Sequence, residues 1–145
     1  MDQPGNPSFL PVSGRIFISF IFLIAGIGKI LAWHTYMNVL STKLIPFDSL
    51  VLLVAILVEI LGGLSILLGY KIRYTGMILF LYLLPVSLIM HNFWAFNGMQ
   101  FTNQFIHFLK NLAIMGGMLY LAHYGAGPYS VDRWLARKSE TGIEV

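Results

Sequence analysis

Apolar positions fall into four long runs, at 14–33, 50–70, 74–94 and 104–124, with short polar or glycine- and proline-bearing segments between them. Each run is near the ~20 residues that cross a ~30 Å hydrocarbon core at 1.5 Å rise per residue. Backbone groups in lipid must be satisfied within each segment, so the runs predict helices and the chain predicts an all-α, integral-membrane antiparallel four-helix bundle. Only Lys71, Ile72 and Arg73 separate the second and third runs, which implies a tight helical hairpin. The connection over 34–49 contains Pro46 and amphipathic residues and is expected to rest on the membrane surface. Pro85 is expected to bend the third helix by freeing the carbonyl of Leu81. Three regions follow: a flexible segment over 1–13, a four-span domain over 14–124 and a tail over 125–145. In the tail, Gly125-Ala-Gly127-Pro128 stops the last span, and Ser130 caps a short interfacial helix that sets Trp134 at headgroup level.

Composition sharpens this picture. The 145 residues are 57% hydrophobic and 10% charged, against about 25% charged in a soluble domain, so little chain remains for a soluble domain. The net charge of +3 does not point to nucleic acid, because the cations sit at the ends of spans. Arg15, Lys71, Arg73, Arg133, Arg137 and Lys138 fall on one side, Lys43 on the other, and Lys29 and Lys110 inside. The positive-inside rule then places both termini in the cytoplasm of a bacterial-type inner membrane. A cleavable signal is the alternative for the first run. Its leader, however, has an acid and prolines where a basic segment belongs, and Gly26, Gly28 and Lys29 interrupt the run without a small-x-small cleavage site. Absence of cysteine excludes disulfides, thiolate nucleophiles and thiolate-held metals within this chain.

An ionisable side chain in hydrocarbon costs roughly 2.5–3.5 kcal/mol or more, so it must be paired or face a cavity. Counted by helical rise from the boundary opposite the termini, Lys29, Glu59, His91, His107, Lys110 and Asn111 all lie in the outer half of the membrane. His107, Lys110 and Asn111 share one helix face at i, i+3 and i+4, and Ser87 and His91 stack on the third helix. Two readings stay open. In the first, Glu59 pairs with Lys110 or Lys29, and the histidines and Asn111 satisfy helix groups, fixing the register of the bundle. In the second, these six residues line a small outward-facing pocket for a substrate or proton. The estimated depths of Glu59 and Lys110 favour an ion pair between those two. No His-x3-His or His-Glu-x2-His spacing occurs, so no metal site is expected.

Several short motifs resemble those of the DoxX family of small four-span membrane proteins. The first run resembles the opening pattern of an arginine, an apolar stretch and Gly-x-x-Lys, at Arg15, Phe22, Gly26 and Lys29. The second is similar to a Glu-x-x-Gly-Gly segment ending in glycine and a basic turn, at Glu59, Gly62, Gly63, Gly69 and Arg73. The tail resembles a closing Gly/Ser/Asp element, at Gly127, Ser130 and Asp132. The resemblance covers almost the whole chain. It implies kinship with the quinone-reducing subunit of thiosulfate:quinone oxidoreductase.

The leading expectation is therefore an accessory or quinone-interacting subunit of a membrane redox system, with quinone as the implied cofactor and at most a subunit's share in catalysis. Lys29, Lys110 and His107 would bind carbonyl or anionic oxygens, while Glu59 orients the lysines. A redox or membrane-complex protein and a second copy of the chain are the expected partners beside the lipid bilayer, and no nucleic acid. The alternative is a non-catalytic assembly or interaction protein whose polar cluster is structural. A small-solute transporter ranks third.

Overall fold

A computed structural model describes residues 9–140. The runs fold into α1 (Leu10–Leu31), α3 (Asp48–Leu68), α4 (Ile72–Met90) and α5 (Gly98–Tyr124), with α2 (Trp33–Thr42), a 3-10 turn (Phe93–Ala95) and α6 (Val131–Glu140) between or after them. No strand occurs among the described residues. Four helices are long and apolar enough to cross a membrane, and the contacts Gly26–Ile60, Gly63–Leu23, Gly62–Leu79 and Asn111–Ser87 show that their directions alternate. α1 begins and α5 finishes at one end of the bundle, the terminal end, opposite the distal end.

Packing pairs α1 with α3 and α4 with α5, and α3 joins the pairs through α4. Between helices in lipid no water is expelled, so close backbone approach and interhelical hydrogen bonds replace the hydrophobic drive of a soluble core. The glycines supply that approach. A Cβ on Gly26 would stand 2.7 Å from Ile60 Cγ1, and one on Gly63 would meet Leu23 at 2.9 Å, both across the α1–α3 seam. Gly62 presses on Leu79 of α4 in the same way. Phe22, Ile66, Leu79, Leu83, Met115 and Met118 fill the main core, while Leu40, Leu52 and Ile56 make a smaller distal one. The outer surface stays apolar, as lipid requires, with residues such as Ile24, Leu31, Ile78 and Leu112 exposed.

Two local features depart from the sequence expectation. Helix α1 begins at Leu10 rather than at residue 14, because Pro11 stands in the first turn, where its missing N–H is not needed. The segment expected as a surface connection is partly helical: α2 turns Trp33, Tyr36, Met37 and Leu40 towards Leu52 and Ile56. Helix α4 runs through Pro85 without a break. The expected flexible leader lies largely outside the described residues.

Candidate functional site

Glu59 is 5% exposed on α3 and faces two helices at once. Lys29 Nζ of α1 donates to both carboxylate oxygens, at 2.8 and 2.7 Å, and the Tyr82 hydroxyl of α4 donates to Oε1 at 2.7 Å. The Lys29 ammonium also stands 5.3 Å from the centre of the Tyr36 ring on α2. An ammonium has three protons, and here two meet the carboxylate while the aromatic face covers the ion. A positive and a negative charge thus cancel inside the bundle, with the carboxylate held by one helix on either side. The Lys29 ammonium is turned to the carboxylate of α3. This pairing replaces the expected Glu59–Lys110 contact.

Lys110 lies on the exposed side of α5, and among the described residues it takes part in no hydrogen bond or ion pair. Its neighbours at i−3 and i+1 do turn towards α4. His107 stacks on His91 with ring centres 5.2 Å apart, and His91 Nδ1 shares a hydrogen bond with Gln104 Oε1 at 3.0 Å. Asn111 Nδ2 donates to Ser87 Oγ at 3.1 Å, and that hydroxyl donates to the Leu83 carbonyl at 2.6 Å. The six polar candidates therefore divide into an α1–α3–α4 cluster, an α4–α5 seam and one outward lysine. The spacing of charged and histidine residues does not single out Tyr82, Tyr36 or Gln104. A phenol inside a span is itself a signal, since its hydroxyl needs a partner there.

Beside the Lys29–Glu59 pair lies an open cavity of about 570 Å³ between α2, α3 and α4. Lys29, Tyr36, Tyr82 and His91 are its polar margin, and Leu40, Leu52, Val54, Ala55, Pro85 and Ile89 are among its apolar walls. Since the Lys29 and Tyr82 donors are already engaged with Glu59, the groove offers apolar surface more than hydrogen bonding. It suits a hydrocarbon chain or an apolar helix face. Among the described residues no three His, Asp or Glu side chains gather where they could hold a metal ion.

The terminal end carries a second polar assembly. Arg15 is 2% exposed, and its Nη2 donates to the Tyr129 carbonyl at 2.8 Å, while Nε and Nη1 have no partner among the described residues. Gly69 ends α3 at φ +67, and a Cβ there would strike the Arg15 guanidinium and approach Ser130, so glycine is required both for backbone and for space. Asp132 accepts the backbone N–H groups of Lys71 and Ile72 at 2.7 and 3.1 Å, and its own N–H donates to the Gly69 carbonyl. A carboxylate from the tail thereby caps the first turn of α4, where donors are otherwise unsatisfied. Ser130 Oγ accepts the Arg133 N–H at 3.2 Å and so caps α6. Arg15, Gly69 and the nearby pair Ser130 and Asp132, from three segments distant in sequence, form one clasp.

Residues 2–138 match the model of the SURF4 family. The inner membrane protein YqjF of Escherichia coli K12 is 35% identical over 124 residues, covering 86% of this chain and 90% of that protein. Inner membrane protein YphA of the same organism is 29% identical over 119 residues, covering 82% of this chain and 85% of YphA. The ER-derived vesicles protein ERV29 of Saccharomyces cerevisiae is 27% identical over 124 residues, which cover 86% of this chain but 33% of ERV29. No solved structure matches the chain. The family match overturns the DoxX resemblance, and with it the expectation of a redox-system subunit. Quinone binding was implied by that resemblance and loses its support together with it.

Proposed function

We propose, because this chain belongs to the SURF4 family, that it is a non-catalytic inner-membrane protein which works by contact with other membrane components. Its buried polar cluster holds the helices in register. The closed Lys29–Glu59–Tyr82 arrangement carries this reading: the carboxylate is met by an ammonium on both oxygens and by a phenol on one, so its charge and its hydrogen bonds are spent inside the bundle. The apolar groove beside it is then the surface offered to a partner in the membrane. Two curated bacterial relatives named as inner membrane proteins support the location. The distribution of Lys and Arg supports placing both termini in the cytoplasm. A reporter fused after Val145 should accordingly be active only in its cytoplasmic form, and periplasmic activity would refute that orientation.

Contact through the groove is tested with a photoreactive residue at Val54, on its wall. In native membranes the reading predicts a discrete protein adduct, unchanged when Lys29→Met and Glu59→Gln are combined in the same chain. Adducts to lipid alone would refute a protein contact, and loss of the adduct in a neutralised chain whose unfolding transition is retained would show that the pair takes part in binding.

A further inference from the structure

At the terminal end, a polar cavity of about 480 Å³ lies between the α3–α4 turn, the end of α5 and the start of α6. Lys71, Arg73 and Arg133 line it, together with Tyr74, Tyr124, Ser130 and Asp132. Among the described residues none of the three cations reaches a carboxylate. The one acid in the cavity, Asp132, is committed to the Lys71 and Ile72 N–H groups at the start of α4. Arg73 Nε reaches over Gly125, 3.7 Å from where a Cβ would stand there. The cavity therefore has a surplus of positive charge with planar and ammonium donors from two separate elements, the pattern that suits a phosphate oxyanion.

Its level in the bilayer decides the source of that anion. Leu68, Ile72 and Tyr124 mark the ends of three spans at this end, so the cavity sits where headgroups lie. Tyr74 and Tyr124 are 73% and 64% exposed at its rim, as interfacial aromatics are. Ile78 and Leu81 follow Tyr74 along one exposed stripe of α4, an apolar track leading from the cavity into the hydrocarbon. Trp134 and Leu135, also exposed, put apolar surface on α6 beside its basic residues. We propose that this cavity binds the phosphodiester headgroup of an anionic phospholipid, with Lys71, Arg73 and Arg133 on the phosphate and the acyl chains along the α4 stripe.

The test uses the full chain in a neutral detergent, titrated at matched ionic strength with short-chain phosphatidylglycerol, short-chain phosphatidylcholine or inorganic phosphate. Phosphatidylglycerol should raise the melting temperature and the other two should not. Combined Arg73→Gln and Arg133→Gln should weaken phosphatidylglycerol binding about thirtyfold, with the lipid-free melting temperature unchanged because both side chains are exposed. Arg137→Gln, further along α6, should leave binding within about twofold of the parent. An equal rise with phosphatidylcholine would overturn the anion site. If inorganic phosphate matched phosphatidylglycerol, the lipid would be overturned as the occupant. Loss with Arg137→Gln as large as with the pair would show diffuse attraction and overturn the cavity as the site.

Discussion

Glu59 shows how far counting along a helix carries. Rise per residue gave its depth, and the need for a partner followed from the cost of a charge in hydrocarbon. Depth does not give azimuth, however. Lys110 stands at a similar depth but on the outer side of α5, whereas Lys29 and Tyr82 flank Glu59 from α1 and α4. Tyr82→Phe removes one donor from a carboxylate that keeps its cation, and should lower stability in detergent by about 1 kcal/mol, since interhelical hydrogen bonds in membranes contribute modestly. Lys110→Met should stay within about 0.5 kcal/mol, as surface changes do. Both are read by thermal unfolding. A large loss for Lys110→Met with none for Tyr82→Phe would mean that α5, not α1 and α4, faces Glu59.

Among elements, the four spans were legible because twenty apolar residues in succession have few alternatives. The short pieces were harder to read. Trp33, Tyr36, Met37 and Leu40 are spaced at i, i+3, i+4 and i+7, a helical signal hidden by the nearby Pro46. Ser130 was legible as a cap, but Asp132 capping α4 was not, since the contact joins segments some sixty residues apart. Because its carboxylate satisfies two N–H groups at a helix N-terminus, Asp132→Ala should cost about 1–2 kcal/mol and loosen the α3–α4 turn. Hydrogen exchange at Lys71 and Ile72 is the direct readout. Unchanged protection there would mean that the tail does not hold the turn.

For the whole molecule, the bundle follows from chain chemistry, while the family did not follow from short motifs. Arg15, Gly26, Glu59, Gly62, Gly63, Ser130 and Asp132 read as a signature, yet each has a packing, pairing, hydrogen-bonding or capping role that a four-span bundle with this clasp needs for itself. Such spacings report shared architecture more readily than shared activity. The match over residues 2–138 integrates the entire pattern and places the chain in the SURF4 family. Lys29, Glu59, His91, His107 and Asn111 are legible in the sequence, whereas Tyr36, Tyr82 and Gln104, and the division into an α1–α3–α4 cluster, an α4–α5 seam and an outward Lys110, required the fold.

That the polar cluster is a structural lock centred on Lys29 and Glu59 is tested most directly by a double-mutant cycle. Lys29→Met and Glu59→Gln are made singly and together, beside a parallel Lys110→Met and Glu59→Gln cycle, with unfolding followed in the same detergent. Each single change in the first cycle strands a buried polar partner, so the double should be more stable than additivity predicts, by about 1–3 kcal/mol. The Lys110 cycle should be additive within about 0.5 kcal/mol. Additivity in the first cycle with coupling in the second would contradict the account.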